Sequence, residues 1–198
     1  ILIAMACVIG RCMLASGAAE RIVRGALSLV GERGAPVAFC GSAFLLGIPV
    51  FFDSLFLLAI PLVKATWLKV RKNYVLFVVA LVAGGTMTHS LVPPTPGPLF
   101  VAEELGVNLG TMILTGMAIG VCCSAVGLLY ANWLNKRMEV PLRETPEAMK
   151  KLEELSKRDV SELPSLGISL LPILLPVVLI SGVTIYKSGL DPTQVAPP

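Results

Sequence analysis

The sequence predicts an all-α integral membrane protein, and three observations carry that expectation. Of the 198 residues, 55% are apolar and only 15% are charged, whereas globular chains carry about 25% charged residues; the mean hydropathy is +0.82. The charges fall in clusters, which leaves 1–9, 35–63, 73–102, 105–135 and 163–186 nearly free of them. All but the first stretch are long enough to span or enter a hydrocarbon core about 30 Å thick. Two stretches are interrupted, one by Gly47-Ile48-Pro49 and one by the prolines between Pro93 and Pro98. Proline removes a backbone donor and clashes with the preceding turn, so regular helix cannot continue there. Irregular backbone at membrane depth persists only where protein or a water-filled cavity surrounds it. The expected architecture is therefore transmembrane helices with a re-entrant hairpin and a proline-broken helix, one part of a larger inverted-repeat transporter.

Residues 1–15 read as the end of a transmembrane helix. The chain opens on Ile1 inside apolar sequence, with no signal-peptide n-region, which fits a fragment of a longer transporter. Residues 16–34 read as an interfacial amphipathic helix with Ser16 as N-cap. Ile22, Val23, Ala26, Leu27 and Val30 recur on one face, with Glu20, Arg21 and Arg24 on the other.

Residues 35–63 fit either one tilted, kinked helix or a re-entrant hairpin with its tip at Gly47-Ile48-Pro49. A hairpin arm of about a dozen residues would reach roughly 18 Å, to mid-bilayer. Loop charges favour the hairpin. Lys64, Lys69, Arg71 and Lys72 form a basic loop at 64–72, and a second basic cluster begins at Lys136 and Arg137. With 73–106 crossing once as a broken helix and 110–134 returning, both clusters are cytoplasmic. The hairpin puts Arg21, Arg24 and Arg33 on that side too, whereas a single crossing would separate them.

Within 110–134, Gly116 and Gly120 have the spacing that permits close helix packing. Residues 135–162 read as a cytoplasmic linker helix, with Thr145 and Pro146 as cap and first residue and favourably ordered pairs such as Glu147 with Lys151. Residues 163–186 span once more, with Pro172 and Pro176 as expected kinks, and 187–198 form a polar tail. The net charge of +3 sits beside apolar segments and requires no nucleic acid. The five cysteines lack metal-ligand spacing and read as small buried hydrophobes. No cofactor or metal is implied.

The chemistry concentrates at the two interruptions. Helix N-termini carry about half a positive charge and uncommitted N–H donors, which suit a carboxylate. Thr86, Thr88, Ser90 and Thr95 bring hydroxyls to the second break. Asp53 is the one ionisable residue in 35–63 and His89 the one in 73–102. An isolated acid in an apolar segment is a functional candidate, and desolvation would favour its protonated form. His89 is suited to hydrogen-bonding substrate or relaying protons. Gly47, Ile48 and Pro49 are thus expected to form one wall of a substrate site. Thr88, His89, Ser90, Pro93, Pro94, Thr95 and Gly97 form the other, with Asp53 and His89 coupling protons. A membrane-embedded enzyme using Asp53 and His89 as an acid–base pair is a remote alternative, because no nucleophile or metal motif accompanies them.

Several segments resemble the gluconate permease family, within the ion transporter superfamily. They are Ser16-Gly17-Ala18-Ala19-Glu20-Arg21-Ile22, Gly47-Ile48-Pro49-Val50-Phe51-Phe52-Asp53 and the string from Thr88 to Pro98. Leu163-Pro164-Ser165 followed by Leu170 to Pro176 also fits. The His-x-x-x-Pro-Pro-x-Pro-Gly-Pro pattern is the specific element. The resemblance implies proton-coupled uptake of gluconate or a related sugar acid across a bacterial inner membrane by a multi-pass homodimer, through elevator-like movement of a hairpin-bearing domain. A sodium-coupled carboxylate carrier is the alternative. The chain departs from the family pattern at Asp53, where glutamate is usual, and at Thr95, where a second histidine is usual.

Overall fold

A computed structural model describes residues 2–138, 140, 147, 149–150, 152 and 163–190. The described residues form eight α-helices: α1 (Leu2–Ala15), α2 (Ala18–Val30), α3 (Ala35–Leu46), α4 (Phe52–Val70), α5 (Tyr74–Leu91), α6 (Pro96–Glu104), α7 (Leu109–Arg137) and α8 (Leu166–Leu190). The fold is all-α. Tyr74–Glu104, Leu109–Arg137 and Leu166–Tyr186 are long and apolar enough to cross a membrane, and α2 with the segment Glu32–Leu46 forms a further apolar pair bent by 117°.

Helix α5 is the hub. Phe39 of α3 faces Phe77 of α5 with ring centres 5.8 Å apart, and a β-carbon at Gly84 would collide with the Cys40 carbonyl. A β-carbon at Gly47 would lie 3.2 Å from Thr88 Cβ, so α3 runs parallel to α5. On α4, Phe52 lies against Gly85 while Trp67 meets Tyr74 with ring centres 6.4 Å apart; α4 is antiparallel to α5. Helix α7 is antiparallel as well. Its Gly116 abuts the Leu91 carbonyl, Gly120 takes the Phe44 ring, Gly127 meets Ala83, and Asn135 Nδ2 donates to Asn73 Oδ1 at 2.9 Å. Small residues give backbones this proximity where water provides no driving force for association.

The chain thus enters α3 and leaves α4 at one end of the bundle. Glu32, Arg33 and Pro36 share a surface recess there with Val70 and Asn73. Helix α8 begins beside α2, with Leu166 on Gly25, and ends beside the start of α7, with Thr184 on Gly110. Asn108 caps α7, its Oδ1 accepting from Gly110 N and from Thr184 Oγ1, both at 2.9 Å.

Some local expectations change. Gly17, with φ of +76°, occupies the N-cap of α2 where Ser16 was expected; Ser16 Oγ instead accepts from Ala18 N at 3.4 Å. The left-handed backbone favours glycine at that turn. Helix α4 continues to Val70, through most of the stretch expected as a basic loop. Lys64 and Lys69 ride on it because long basic side chains carry their charge outward from a packed stem. Cys12 and Cys122 are exposed, and only Cys40 is fully buried. Asn135 to Arg137 belong to α7. The expected Thr145–Pro146 cap, Lys151 of the pair with Glu147 and the tail from residue 191 lie outside the described residues.

Candidate functional site

The two interruptions form adjacent turns. Helix α3 ends at Leu46, Gly47 keeps helical φ and ψ, and a turn through Ile48, Pro49 and Val50 leads to Phe51, whose extended conformation opens α4 without a side-chain cap. Leu55 N donates to the Phe51 carbonyl at 3.0 Å, so the N–H groups of Phe52, Asp53 and Ser54 precede the first bond of the helix. The second break, between Leu91 and Pro96, contains the cis Pro93–Pro94 peptide. Helix α6 also starts without a side-chain cap, at Thr95. Pro96 and Pro98 carry no N–H, which leaves Gly97 as the free donor of that first turn. A β-carbon at Gly97 would meet no atom within 4 Å, so its backbone is open to approach.

The breaks are brought together. Ile48 and Pro49 from the first and Pro93 and Pro94 from the second line one partly open cavity of about 120 Å³, together with residues of α1, α7 and α8. Every lining side chain is apolar, so the cavity itself offers a polyol no side-chain partner. The polar candidates lie around the turns. Thr88 is buried and donates to the Gly84 carbonyl at 3.3 Å. Thr95 is buried and donates to the Val92 carbonyl at 2.7 Å, which stitches the break closed. Both hydroxyls are already committed as donors.

His89 lies edge-on to Phe51, ring centres 5.7 Å apart, and so links the second break to the start of α4. Its Nδ1 is buried without a hydrogen-bond partner among the described residues. Ser90 and Gly97 are exposed, as is Asp53. The exposure of Asp53 differs from the enclosed acid expected, and the helical phase explains it. Leu55, Ala59, Leu62 and Val63 are the buried residues of α4 in this stretch, which turns Asp53 and Leu57 outward.

Sequence reasoning passed over Phe51 and the contribution of α1 and α8 to the cavity wall. Phe51 was legible as an aromatic directly after the first break. Pro172 and Pro176 were legible through their i,i+4 spacing, which puts both on one helix face, the face that lines the cavity. Ile9 and Val177 carry no signal that separates them from other apolar residues.

A family model described as GntP family permease matches residues 1–196. The chain is 38% identical over 184 residues to an uncharacterized permease of Haemophilus influenzae, covering 91% of this chain and 38% of that protein. It is 34% identical to a gluconate permease of Zymomonas mobilis, covering 94% and 40%. It is 32% identical to the D-serine transporter DsdX of Escherichia coli, covering 93% and 40%. The chain thus spans about two fifths of the length of these relatives. No solved structure matches it.

Proposed function

The chain belongs to the GntP permease family, and from that premise we propose that it forms part of a secondary transporter taking up gluconate or a related small organic acid across the bacterial inner membrane by proton symport. One observation carries this reading: the two helix breaks wall a common cavity, and each is followed by a helix N-terminus without a side-chain cap. The N–H groups of Phe52, Asp53, Ser54 and Gly97 suit a carboxylate there, because aligned peptide dipoles favour negative charge at that end. Gluconate and D-serine, for which relatives are named, share a carboxylate with a polar α-substituent. We read α3 and α4 as a re-entrant hairpin and the assembled protein as a homodimer.

Asp53 couples the proton electrostatically. Its carboxylate stands in the first turn of α4, where it competes with an incoming anion for the same positive potential. Protonation removes that competition, so proton and substrate favour each other's binding by the same factor. His89, with its uncommitted Nδ1, serves the substrate's hydroxyl groups or passes the proton on.

The test is uptake by the full-length protein in vesicles under imposed proton and sodium gradients. A proton gradient alone is expected to drive accumulation, and uptake driven by sodium alone would assign the sodium-coupled alternative. Asp53→Asn and His89→Ala are expected to abolish or sharply reduce uptake while leaving membrane insertion intact. Normal uptake by both variants would remove these residues from the site.

A further inference from the structure

At the end of the bundle where α4, α5 and α7 meet, we propose a second binding site, for the phosphate of an anionic phospholipid headgroup. A recess of about 660 Å³ is lined there by residues that include Trp67, Arg71, Lys72, Asn73, Tyr74 and Lys136. That volume lies in the range of sites for small molecules. Three cations converge on it, and no acidic side chain lines it among the described residues. None of the three has an ion pair among the described residues. Arg71 is held in place by cation–π contact, its guanidinium 5.7 Å from the Trp67 ring centre. The floor is braced by the Asn73–Asn135 hydrogen bond. A cluster of donors with no ion pair among the described residues, one of them seated on an aromatic wall, suits a phosphate oxyanion.

Position selects the lipid over a soluble anion. The recess lies where α5 begins at Tyr74 and α7 ends at Arg137, the limits of two apolar spans. Trp67, Tyr74, Tyr130 and Trp133 gather at this level, the last two with ring centres 5.6 Å apart, as aromatic residues do at a membrane–water interface. Basic recesses between spans on the cytoplasmic side suit anionic headgroups. The 18 residues of α5 separate this recess from the second break, about 27 Å along the helix, so it is distinct from the proposed substrate site.

The experiment reconstitutes the full-length protein in phosphatidylcholine bilayers and compares association of spin-labelled phosphatidylglycerol with spin-labelled phosphatidylcholine. A preference for phosphatidylglycerol is expected, falling up to about fivefold for each charge removed in Arg71→Gln, Lys72→Gln and Lys136→Gln. Arg33→Gln, which alters a charge outside this recess, is expected to retain it. Lys72→Gln alone, at an exposed residue between helices, tests the site where the triple variant fails to fold. Equal association of the two lipids, or a preference that survives loss of the charges, would overturn the site. Inorganic phosphate added at constant ionic strength should leave the preference intact; displacement of the labelled lipid by it would overturn the lipid assignment.

Discussion

Gly84→Ala should loosen the centre of the molecule, and its cost follows from what surrounds that position. The new β-carbon would collide with the Cys40 carbonyl oxygen and lie 2.8 Å from the carbonyl carbon and 3.0 Å from Cα of the same residue. All three are backbone atoms of α3, so no side-chain rotation relieves the overlap, and α3 must withdraw from α5 along its length. Overpacking of this kind costs about 1–3 kcal/mol, and alanine returns up to about 1 kcal/mol of helix propensity. A net loss of about 1–2 kcal/mol is expected. Gly41→Ala is the internal control, because nothing lies within 4 Å of its β-carbon; it should gain up to about 1 kcal/mol. Thermal unfolding of the full-length protein in detergent compares the two. The turn at Gly47 follows α3 directly, so Gly84→Ala should also lower uptake. Equal stability of both alanine variants would refute the close packing of α3 on α5.

Thr95→Val should lower stability by about 1 kcal/mol, because the Val92 carbonyl loses its buried donor. Thr95→Ser should preserve both stability and uptake, and loss of uptake in the serine variant would show that the methyl group contributes more than the hydroxyl. A double-mutant cycle between Asn73→Ala and Asn135→Ala should return a coupling of about 0.5–1 kcal/mol for their hydrogen bond, read by the same melting assay. Val177→Phe should fill part of the apolar cavity and raise stability by about 0.5–2 kcal/mol. If it lowers the melting temperature instead, the cavity is too narrow for the added ring.

The breaks were legible because proline and glycine act locally. A cluster of lost donors and turn residues stops a helix, whereas the single prolines Pro61, Pro172 and Pro176 are carried inside α4 and α8, and Gly47-Ile48-Pro49 and Pro93–Pro98 both fall in or beside helix ends. The spans were legible for a similar reason, since length and hydropathy are additive along the chain. Facing was not. In a membrane helix apolar residues point outward as readily as inward, so Leu57 and Leu55 read alike although one is exposed and the other buried. The outward phase of Asp53 was hidden by the same uniformity. The reach of α4 to Val70 was hidden for another reason, because lysines that mark a loop by composition also sit comfortably on the last turns of a helix.

Gly84 and Gly85 are consecutive, yet they serve different neighbours. The first admits the backbone of α3, the second the Phe52 ring of α4. Successive helical positions differ by about 100° in azimuth, so this doublet points two ways and seats both sides of the first break on a single helix, which itself ends at the second. The kinematic consequence is that the two turns are not independent gates. A displacement that carries one must carry the other, and freedom to move relative to the surrounding helices belongs to the unit as a whole.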